Sequence, residues 1–186
     1  MKIYKPSDDS YLFQNFLEQY LSNLQSSNPD ICSKIKLLDM GTGSGILSKT
    51  AIKFLAANNI LAADINTEAI KNLSDEKFKT VHSNLFQTIN QKFDLIIFNA
   101  PYLPRDSREP SDSQIATTGG QRGDEISLQF LKQAQSHLNP NGKILLLISS
   151  LTPINKIKKL WEYKIVARKK LFMEELSILE FDNDAA

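Results

Sequence analysis

The sequence predicts a three-layer α/β fold in which helices cover both faces of a mostly parallel sheet. Short apolar runs typical of buried strands alternate with stretches of helical periodicity at least four times, which indicates right-handed βαβ units. The first predicted strand runs directly into a glycine-rich loop, Gly41 to Gly45, and a helix follows. Two later segments alternate in polarity, as a closing antiparallel pair of strands does.

Length and composition restrict the class of protein. With 186 residues, 41% of them hydrophobic and 23% charged, the chain fits one domain of ordinary globular composition. We expect a single domain over residues 1–186, with a helical extension at 1–30 and a catalytic core at 31–186. The net charge of +1 argues against a sequence-independent nucleic-acid binder, which usually carries a large basic excess.

Cysteine content and hydropathy indicate a cytoplasmic protein. The single cysteine, Cys32, excludes an internal disulfide and a cysteine-based zinc cluster, and it fits a reducing compartment. No apolar run approaches the roughly 18 residues of a membrane span, and residues 1–6 lack the apolar core of a signal peptide. His82 and His137 have no second ligand at a suitable spacing, so we expect no metal site.

The predicted elements follow from local patterns. Capping residues 7–10 precede one apolar helical stripe, formed by Phe13, Phe16, Leu17, Tyr20, Leu21 and Leu24. Apolar runs predict parallel strands at 35–40, 60–64, 78–82, 93–98 and 143–149, and an antiparallel pair at 163–172 and 176–181. Helices are predicted at 46–57, 67–73, 124–138 and 153–161. The long polar segment 103–123 indicates a functional lid rather than a simple connector.

A glycine-rich turn after the first strand predicts a small-molecule site. Asp39 precedes Gly41, Gly43 and Gly45, and such glycines let the backbone turn sharply and approach a ligand closely. The spacing differs from the Gly-x-Gly-x-x-Gly of dinucleotide enzymes, and the P-loop lysine is absent. An acid before the loop suits an ammonium group better than a pyrophosphate.

Two later strand ends supply further ligand groups. Asp64 ends the second strand, where an acid accepts hydrogen bonds from ribose hydroxyls. Asn84 follows the third strand and can meet an adenine amino group with Leu85 against the ring, although a plain turn-forming asparagine is an equal alternative. Together with Asp39, these groups fit the parts of S-adenosylmethionine.

The fourth strand ends in Asn99-Ala100-Pro101-Tyr102, which predicts the acceptor site. Pro101 has no N–H to give a sheet, so the strand stops and delivers Asn99 to the edge where ligands bind. A planar amide or aryl amine is a poor nucleophile, and the Asn99 side-chain oxygen and the Ala100 carbonyl can accept its two N–H hydrogens. Tyr102 can stack on the same planar group. The alternative is a plain Asn-Pro turn.

Four stretches together resemble the class I S-adenosylmethionine-dependent methyltransferases, and more narrowly the HemK-type enzymes that methylate a glutamine of translation release factors. Residues 4–10 are similar to the Tyr-x-Pro-x-Glu/Asp-Asp-Thr/Ser motif of the short archaeal and eukaryotic branch. Residues 39–45 match the first motif of the family, residues 99–102 resemble Asn-Pro-Pro-Tyr, and residues 119–125 resemble Gly-Gly-x-x-Gly-x-Glu.

The resemblance implies a fold, a reaction and a set of contacts. It implies a Rossmann-like, mostly parallel seven-stranded sheet with an antiparallel C-terminal strand, and methyl transfer to the glutamine of a Gly-Gly-Gln motif. The implied cofactor contacts are Ser10, Asp39, Gly41, Asp64, Asn84, Leu85 and Asn99. Ala100 replaces the family's first proline and Asn84 its usual acid, so we expect a looser turn and a weaker adenine contact.

Partners and alternatives follow from the same comparison. Members of the short branch usually work with a small zinc-binding activator protein, and strand 78–82 is expected at a sheet edge that a partner strand can pair. The main alternative is a nucleic-acid methyltransferase acting on an exocyclic amine, because Tyr102 would stack equally well on a base. Near-neutral charge favours the protein substrate. Lysine methylation and a non-enzymatic cofactor-binding module are lesser alternatives.

Overall fold

A computed structural model describes residues 3–106, 108 and 117–183 of the chain. The strands are β1 (Leu37–Met40), β2 (Ile60–Asp64), β3 (Lys79–His82), β4 (Phe93–Asn99), β5 (Leu138–Ser149), β6 (Lys164–Lys170) and β7 (Glu175–Asp182). They form a seven-stranded sheet in the order β3-β2-β1-β4-β5-β7-β6. The first five strands are parallel, whereas β7 is antiparallel to both β5 and β6. The predicted sheet and its closing antiparallel pair are therefore confirmed.

The helices lie on both faces of this sheet. They are α1 (Asp8–Ser27), α2 (Pro29–Cys32), α3 (Ile46–Ala51), α4 (Thr67–Asn72), α5 (Glu125–Ala134) and α6 (Asn155–Leu160), with 3-10 turns at Ala57–Asn59 and Gln135–His137. One apolar cluster joins α1 and α3 to the sheet through Phe13, Leu17 and Leu47, and a second joins α5 and α6 through Phe130 and Ile157. None of the helices in the described residues is long and apolar enough to cross a membrane.

The sequence of the central strand β4 reflects the helices that cover both faces of the sheet. Its residues 95–98 are all buried, and they contribute alternately to the two clusters, Leu95 and Ile97 to one and Ile96 and Phe98 to the other. A strand with helices on both faces has no solvent-facing side, so its sequence is continuously apolar rather than alternating.

Some element boundaries differ from those predicted. The first strand begins at Leu37 rather than residue 35, α3 ends at Ala51 rather than residue 57, and β5 begins at Leu138 rather than residue 143. The predicted helix 124–138 and strand 143–149 leave the polar run 139–142 between them, but one side-chain and one backbone hydrogen bond tie this run to the sheet. Asn139 Nδ2 donates to Asp94 Oδ1 over 2.7 Å, and the Asn183 N–H donates to the Gly142 carbonyl over 2.9 Å.

The predicted lid at 103–123 falls partly outside the described residues, at 107 and 109–116. The described parts of this segment pair with each other. The Leu103 N–H donates to the Thr117 carbonyl and the Gly119 N–H donates to the Leu103 carbonyl, each over 2.9 Å. This pairing places the second half of the segment beside the end of β4.

Candidate active site

A cavity of about 690 Å³ opens at the carboxyl edge of the parallel strands. That volume lies within the range of roughly 300–1,000 Å³ that small-molecule sites occupy. Its lining comes from the loops that follow β1, β2, β3 and β4, and from the segment that leads into α1. The described residues that line it include Asp39, Gly41, Gly43, Asp64, Asn84, Leu85, Asn99, Ala100, Pro101, Tyr102 and Ser10. Of the predicted site residues, Gly45 alone is not part of this lining.

The glycine turn after β1 adopts the backbone that the sequence requires. Gly41, Gly43 and Gly45 have φ angles of 62°, 54° and 77°, in the left-handed region that residues with a Cβ rarely adopt. A Cβ at Gly41 would lie 2.9 Å from Phe98 Cε2, whereas a Cβ at Gly43 would find its nearest neighbour at 3.9 Å. The backbone at Gly43 therefore borders open space, as a ligand that approaches closely requires.

Asp39 is buried below this turn, with its carboxylate held by two side chains. Thr42 Oγ1 and Ser48 Oγ each donate to Asp39 Oδ2 over 2.7 Å, and the Ser48 N–H donates to the same atom over 3.1 Å. Burial raises the pKa of Asp39 to about 6, against the opposing effect of these donors. The group is fixed in place and lines the cavity, where a cationic ligand would restore its ordinary ionisation.

Asp64 connects the first two loops. Its Oδ2 accepts the Gly43 N–H over 2.8 Å, and its Oδ1 accepts the Asn66 N–H over 2.7 Å. Burial raises the pKa of Asp64, while these backbone donors act in the opposite direction. Each carboxylate oxygen can accept more than one hydrogen bond, so acceptor capacity remains for ligand hydroxyls.

The loop after β3 holds a strained residue. Leu85 has a φ of 48°, and Leu85 and Asn141 are the residues other than glycine with a positive φ in the described part of the chain. Ser83 Oγ donates to the Leu85 carbonyl over 2.7 Å, which holds this conformation. Strained backbone of this kind concentrates at functional sites. The loop after β3 presents buried Leu85 and exposed Asn84 to the cavity.

Asn99 carries an unused hydrogen-bond acceptor at the end of β4. Its Nδ2 lies 3.4 Å from Asp9 Oδ2 and 3.5 Å from Ser10 Oγ. Its Oδ1 is buried and has no hydrogen-bond partner in the described residues. Buried polar atoms are nearly always satisfied, so an orphaned acceptor in a ligand-sized cavity indicates that a bound group supplies the donor.

Asp9 is a site residue that the sequence analysis did not single out. It is 5% exposed, and its Oδ1 accepts the Ser10 N–H over 2.5 Å and the Ser7 hydroxyl over 2.9 Å. Its Oδ2 accepts the Tyr4 hydroxyl over 3.2 Å and faces Asn99. Two signals were available: Asp9 lies four residues before Phe13 on the buried stripe of α1, and it is the second acid of the motif at residues 4–10.

Tyr102 and the second half of the predicted lid segment complete the acceptor side. Burial raises the pKa of the Tyr102 phenol, and the Asp9 carboxylate raises it further, so the hydroxyl stays neutral. Ala100 is buried and Pro101 follows it into the cavity wall. A Cβ at Gly119 would lie 2.7 Å from the Pro101 carbonyl oxygen, so that glycine lets two predicted motifs pack directly together.

The two histidines have structural surroundings. His82 Nε2 lies 3.0 Å from the Ile65 carbonyl, whereas His137 bridges the Gln133 and Ile89 carbonyls and stacks on Phe86 at 4.3 Å. No group of three histidine, cysteine, aspartate or glutamate side chains is placed to hold a metal in the described ranges.

The fold and this cavity define a methyltransferase of class I, and sequence comparison agrees. Residues 18–173 match the family described as "Methyltransferase small domain", and the chain belongs to that family. S-adenosylmethionine is the cofactor of the family. The residues around the cavity fit it, since the structure offers a buried acid, Asp39, beside a glycine turn and a second acid, Asp64, at the end of the next strand.

Three individual relatives, each named a methyltransferase, are similar to this chain. A Methanocaldococcus jannaschii protein, provisionally named a protein N5-glutamine methyltransferase, is 34% identical over 96% of this chain and 90% of its own length. The human methyltransferase HEMK2 is 26% identical over 96% of this chain and 89% of its own length. The release factor glutamine methyltransferase of Borreliella burgdorferi is 34% identical, over 60% of this chain and 43% of its own length.

Solved structures support the fold. A Pyrococcus furiosus methyltransferase superposes with a TM-score of 0.65 at 20% identity, covering 99% of this chain and 89% of that one. A Thermus thermophilus 16S rRNA methyltransferase, solved with AdoMet and guanosine, superposes with a TM-score of 0.65 at 18% identity, covering 96% of this chain and 43% of that one. At such identities the likeness shows the shared architecture alone.

Proposed function

We propose that this protein transfers a methyl group to the side-chain nitrogen of a glutamine, that of the Gly-Gly-Gln motif of a translation release factor. The orphaned Asn99 Oδ1 carries the proposal, because it is a buried acceptor without a donor on a residue that lines the cavity, and a substrate amide would bring N–H donors. The names of the archaeal and bacterial relatives support the same substrate class.

The donor half of the cavity has a separate role for each residue. S-adenosylmethionine, when bound, supplies a methyl group on a sulfonium, a good leaving group. Asp39 would hold the ammonium group, with the Gly41–Gly45 turn against the amino-acid tail. Asp64 would accept the ribose hydroxyls, and Asn84 and Leu85 would contact the adenine.

The acceptor half overcomes the weak nucleophilicity of an amide. Asn99 Oδ1 and the Ala100 carbonyl accept the two N–H hydrogens of the substrate amide, and these hydrogen bonds strengthen as the nitrogen becomes positively charged. Asp9 holds Asn99 Nδ2, which keeps the oxygen rather than the nitrogen directed at the substrate. Tyr102 stacks on the planar amide and, together with Asn99, fixes the angle of approach.

Methyl transfer from labelled cofactor tests this function directly. Purified protein is incubated with tritiated S-adenosylmethionine and a release factor, with RNA as a competing acceptor, and mass spectrometry locates the methyl group. Label on the glutamine of Gly-Gly-Gln, absent from a release factor with that glutamine changed to alanine, is the expected result. Label in the RNA alone would contradict the proposal and support the nucleic-acid alternative.

We also propose a partner at the edge of the sheet. β3 is an edge strand with partly exposed residues, and an uncovered edge presents unpaired backbone groups to another chain. A small zinc-binding activator protein that adds a strand there would give a heterodimer. Co-expression should raise yield and activity, whereas a lone chain that is monodisperse and fully active would contradict the proposal.

We further propose that residues 1–186 act as one catalytic domain in the cytoplasm. The free thiol of Cys32 supports the location, because a buried unpaired cysteine persists most readily in a reducing compartment. Fractionation of cells that express the tagged chain tests this assignment.

A further inference from the structure

The turn between β6 and β7 exposes two large apolar side chains. The Leu171 N–H donates to the Glu174 carbonyl over 2.8 Å, which leaves Phe172 and Met173 as the two residues of the turn. Phe172 is 99% exposed and Met173 is 80% exposed. Two-residue hairpin turns favour glycine, asparagine and aspartate, so neither turn geometry nor core packing explains this pair.

A third exposed apolar residue is linked to this turn. Leu151 follows β5, is 48% exposed, and donates its N–H to Ser149 Oγ over 3.1 Å. The Ser149 hydroxyl in turn donates to the Glu174 carboxylate, and the Ser150 N–H donates to the Glu175 carbonyl over 2.8 Å. We call Leu151, Phe172 and Met173 the apolar rim.

The apolar rim lies at the same edge of the sheet as the acceptor half of the cavity. Because β7 is antiparallel to β5 and pairs Leu176 with Ser149, the β6–β7 turn lies at the carboxyl edge of β5, the edge that carries the site. Thr152, next to Leu151, donates through its hydroxyl to the Tyr102 carbonyl over 3.2 Å. In the strand order, β5 and β7 lie on the side of β4 away from β1 and β2, which hold the donor groups.

We propose that the apolar rim docks the segment of the protein substrate that flanks the methylated glutamine. The cavity admits a side chain from a folded protein, so the residues next to that side chain must rest on the surface around the opening. An apolar surface at this place, separate from the donor site, provides affinity for a macromolecular acceptor. This inference rests on the proposed function and adds to it the part of the surface that recognises the substrate.

A double variant, Phe172→Ser with Met173→Ser, tests the docking role. Both side chains are outside the core, so the fold should be retained, which circular dichroism checks. With a release factor as acceptor, KM should rise roughly tenfold, as loss of an apolar interface contact does, while kcat and the affinity for S-adenosylmethionine stay unchanged. A matched control is Ile31→Ser. Ile31 is also an exposed large apolar residue, at 53%, but it lies on α2, which leads into the start of β1, whereas the cavity lies at the ends of the parallel strands.

The outcomes separate the docking role from the proposed function. A wild type that leaves the release factor unmethylated removes the proposed function and this inference with it. A wild type that methylates it, with a double variant of unchanged KM, overturns the docking role alone. If sedimentation shows that wild-type chains associate and the double variant does not, at equal KM, the rim serves a second copy and the inference is wrong.

Discussion

At the scale of single residues, the orientation of Asn99 determines what the site can bind. An amide side chain offers a donor end and an acceptor end, and the Asp9 carboxylate accepts only from the donor end. The contact of 3.4 Å between Asn99 Nδ2 and Asp9 Oδ2 therefore leaves the oxygen for the substrate. The acid at position 9 acts as a positioning residue for the amide at position 99.

Replacing Asn99 by alanine should lower kcat by about 10²-fold or more, the usual effect of losing one preorganised hydrogen-bond partner of a transition state. Affinity for S-adenosylmethionine should change far less, because the donor groups at Asp39 and Asp64 remain. Steady-state kinetics with calorimetric titration of the cofactor separates the two effects. Turnover at the wild-type rate would remove Asn99 from the mechanism.

Asp39 should make cofactor binding depend on pH. Its pKa is raised to about 6, so its contribution to folding stability is complete below its ordinary pKa of 3.8 and is lost as the pH rises through about 6. Binding has the opposite dependence, because an ammonium group requires the ionised carboxylate. Affinity for S-adenosylmethionine should therefore weaken as the pH falls below about 6.

The control for this pH dependence is Asp39→Asn. This variant should bind S-adenosylmethionine more weakly, and its affinity should no longer decrease as the pH falls below about 6. Burial also raises the pKa of Asp64, so the difference between wild type and variant is the quantity that reports Asp39. Titration of both proteins above and below about pH 6 measures it. An identical decrease in the variant would assign the dependence to another group.

At the scale of elements, the glycine turn is constrained by its left-handed backbone and, at Gly41, by close packing against Phe98. Two substitutions separate these constraints. Gly43→Ala should lower the free energy of unfolding by about 1 kcal/mol, from left-handed strain alone. Gly41→Ala adds a contact of 2.9 Å with Phe98 and should cost roughly 1–3 kcal/mol more, as overpacking does. Urea unfolding of the two variants measures the difference, and equal losses would show that Phe98 moves aside freely.

Elements that local pattern determines were predicted well, and those held by distant contacts were not. β2 occupies residues 60–64 as expected, because an apolar run bounded by polar residues fixes it. The early start of β5 could not be predicted, since Asn139 depends on Asp94 from another strand. Likewise Asp9 resembled an ordinary helix-start acid, because its contact with Asn99 joins residues that are remote in sequence.

The site was predictable where a residue type and a strand end coincide. Asp64 and Asn99 each end a parallel strand and Asp39 is one residue from the end of its own. Parallel strands share one carboxyl edge, so the convergence of these residues followed from topology. The apolar rim had no such signal. The predicted strand pair 163–172 and 176–181 already implies a turn between the two strands, and the structure has it at residues 171–174. No pattern in the sequence shows that Phe172 and Met173 lie exposed on that turn.

At the scale of the whole molecule, α1 should unfold together with the sheet. Its buried Phe13, Leu17 and Leu21 belong to the same apolar cluster as Leu37 and Leu95 of the sheet. Shared burial of this kind makes unfolding cooperative in domains of this size. Circular dichroism and the fluorescence of Trp161, which packs against Phe181 at 5.7 Å, should report one coincident urea transition. A separate helical transition would show that residues 1–30 are an independent unit.

The place of β7 between β5 and β6 affects how the chain folds during its synthesis. β6 has β7 as its neighbour in the sheet, and the outer edge of β5 is closed by the same strand. At about 5–20 residues added per second, β5 is complete in a nascent chain some seconds before residues 175–182, which close its edge, are added. Until those residues leave the exit tunnel, the bare edge of β5 is a binding site for chaperones and a starting point for aggregation.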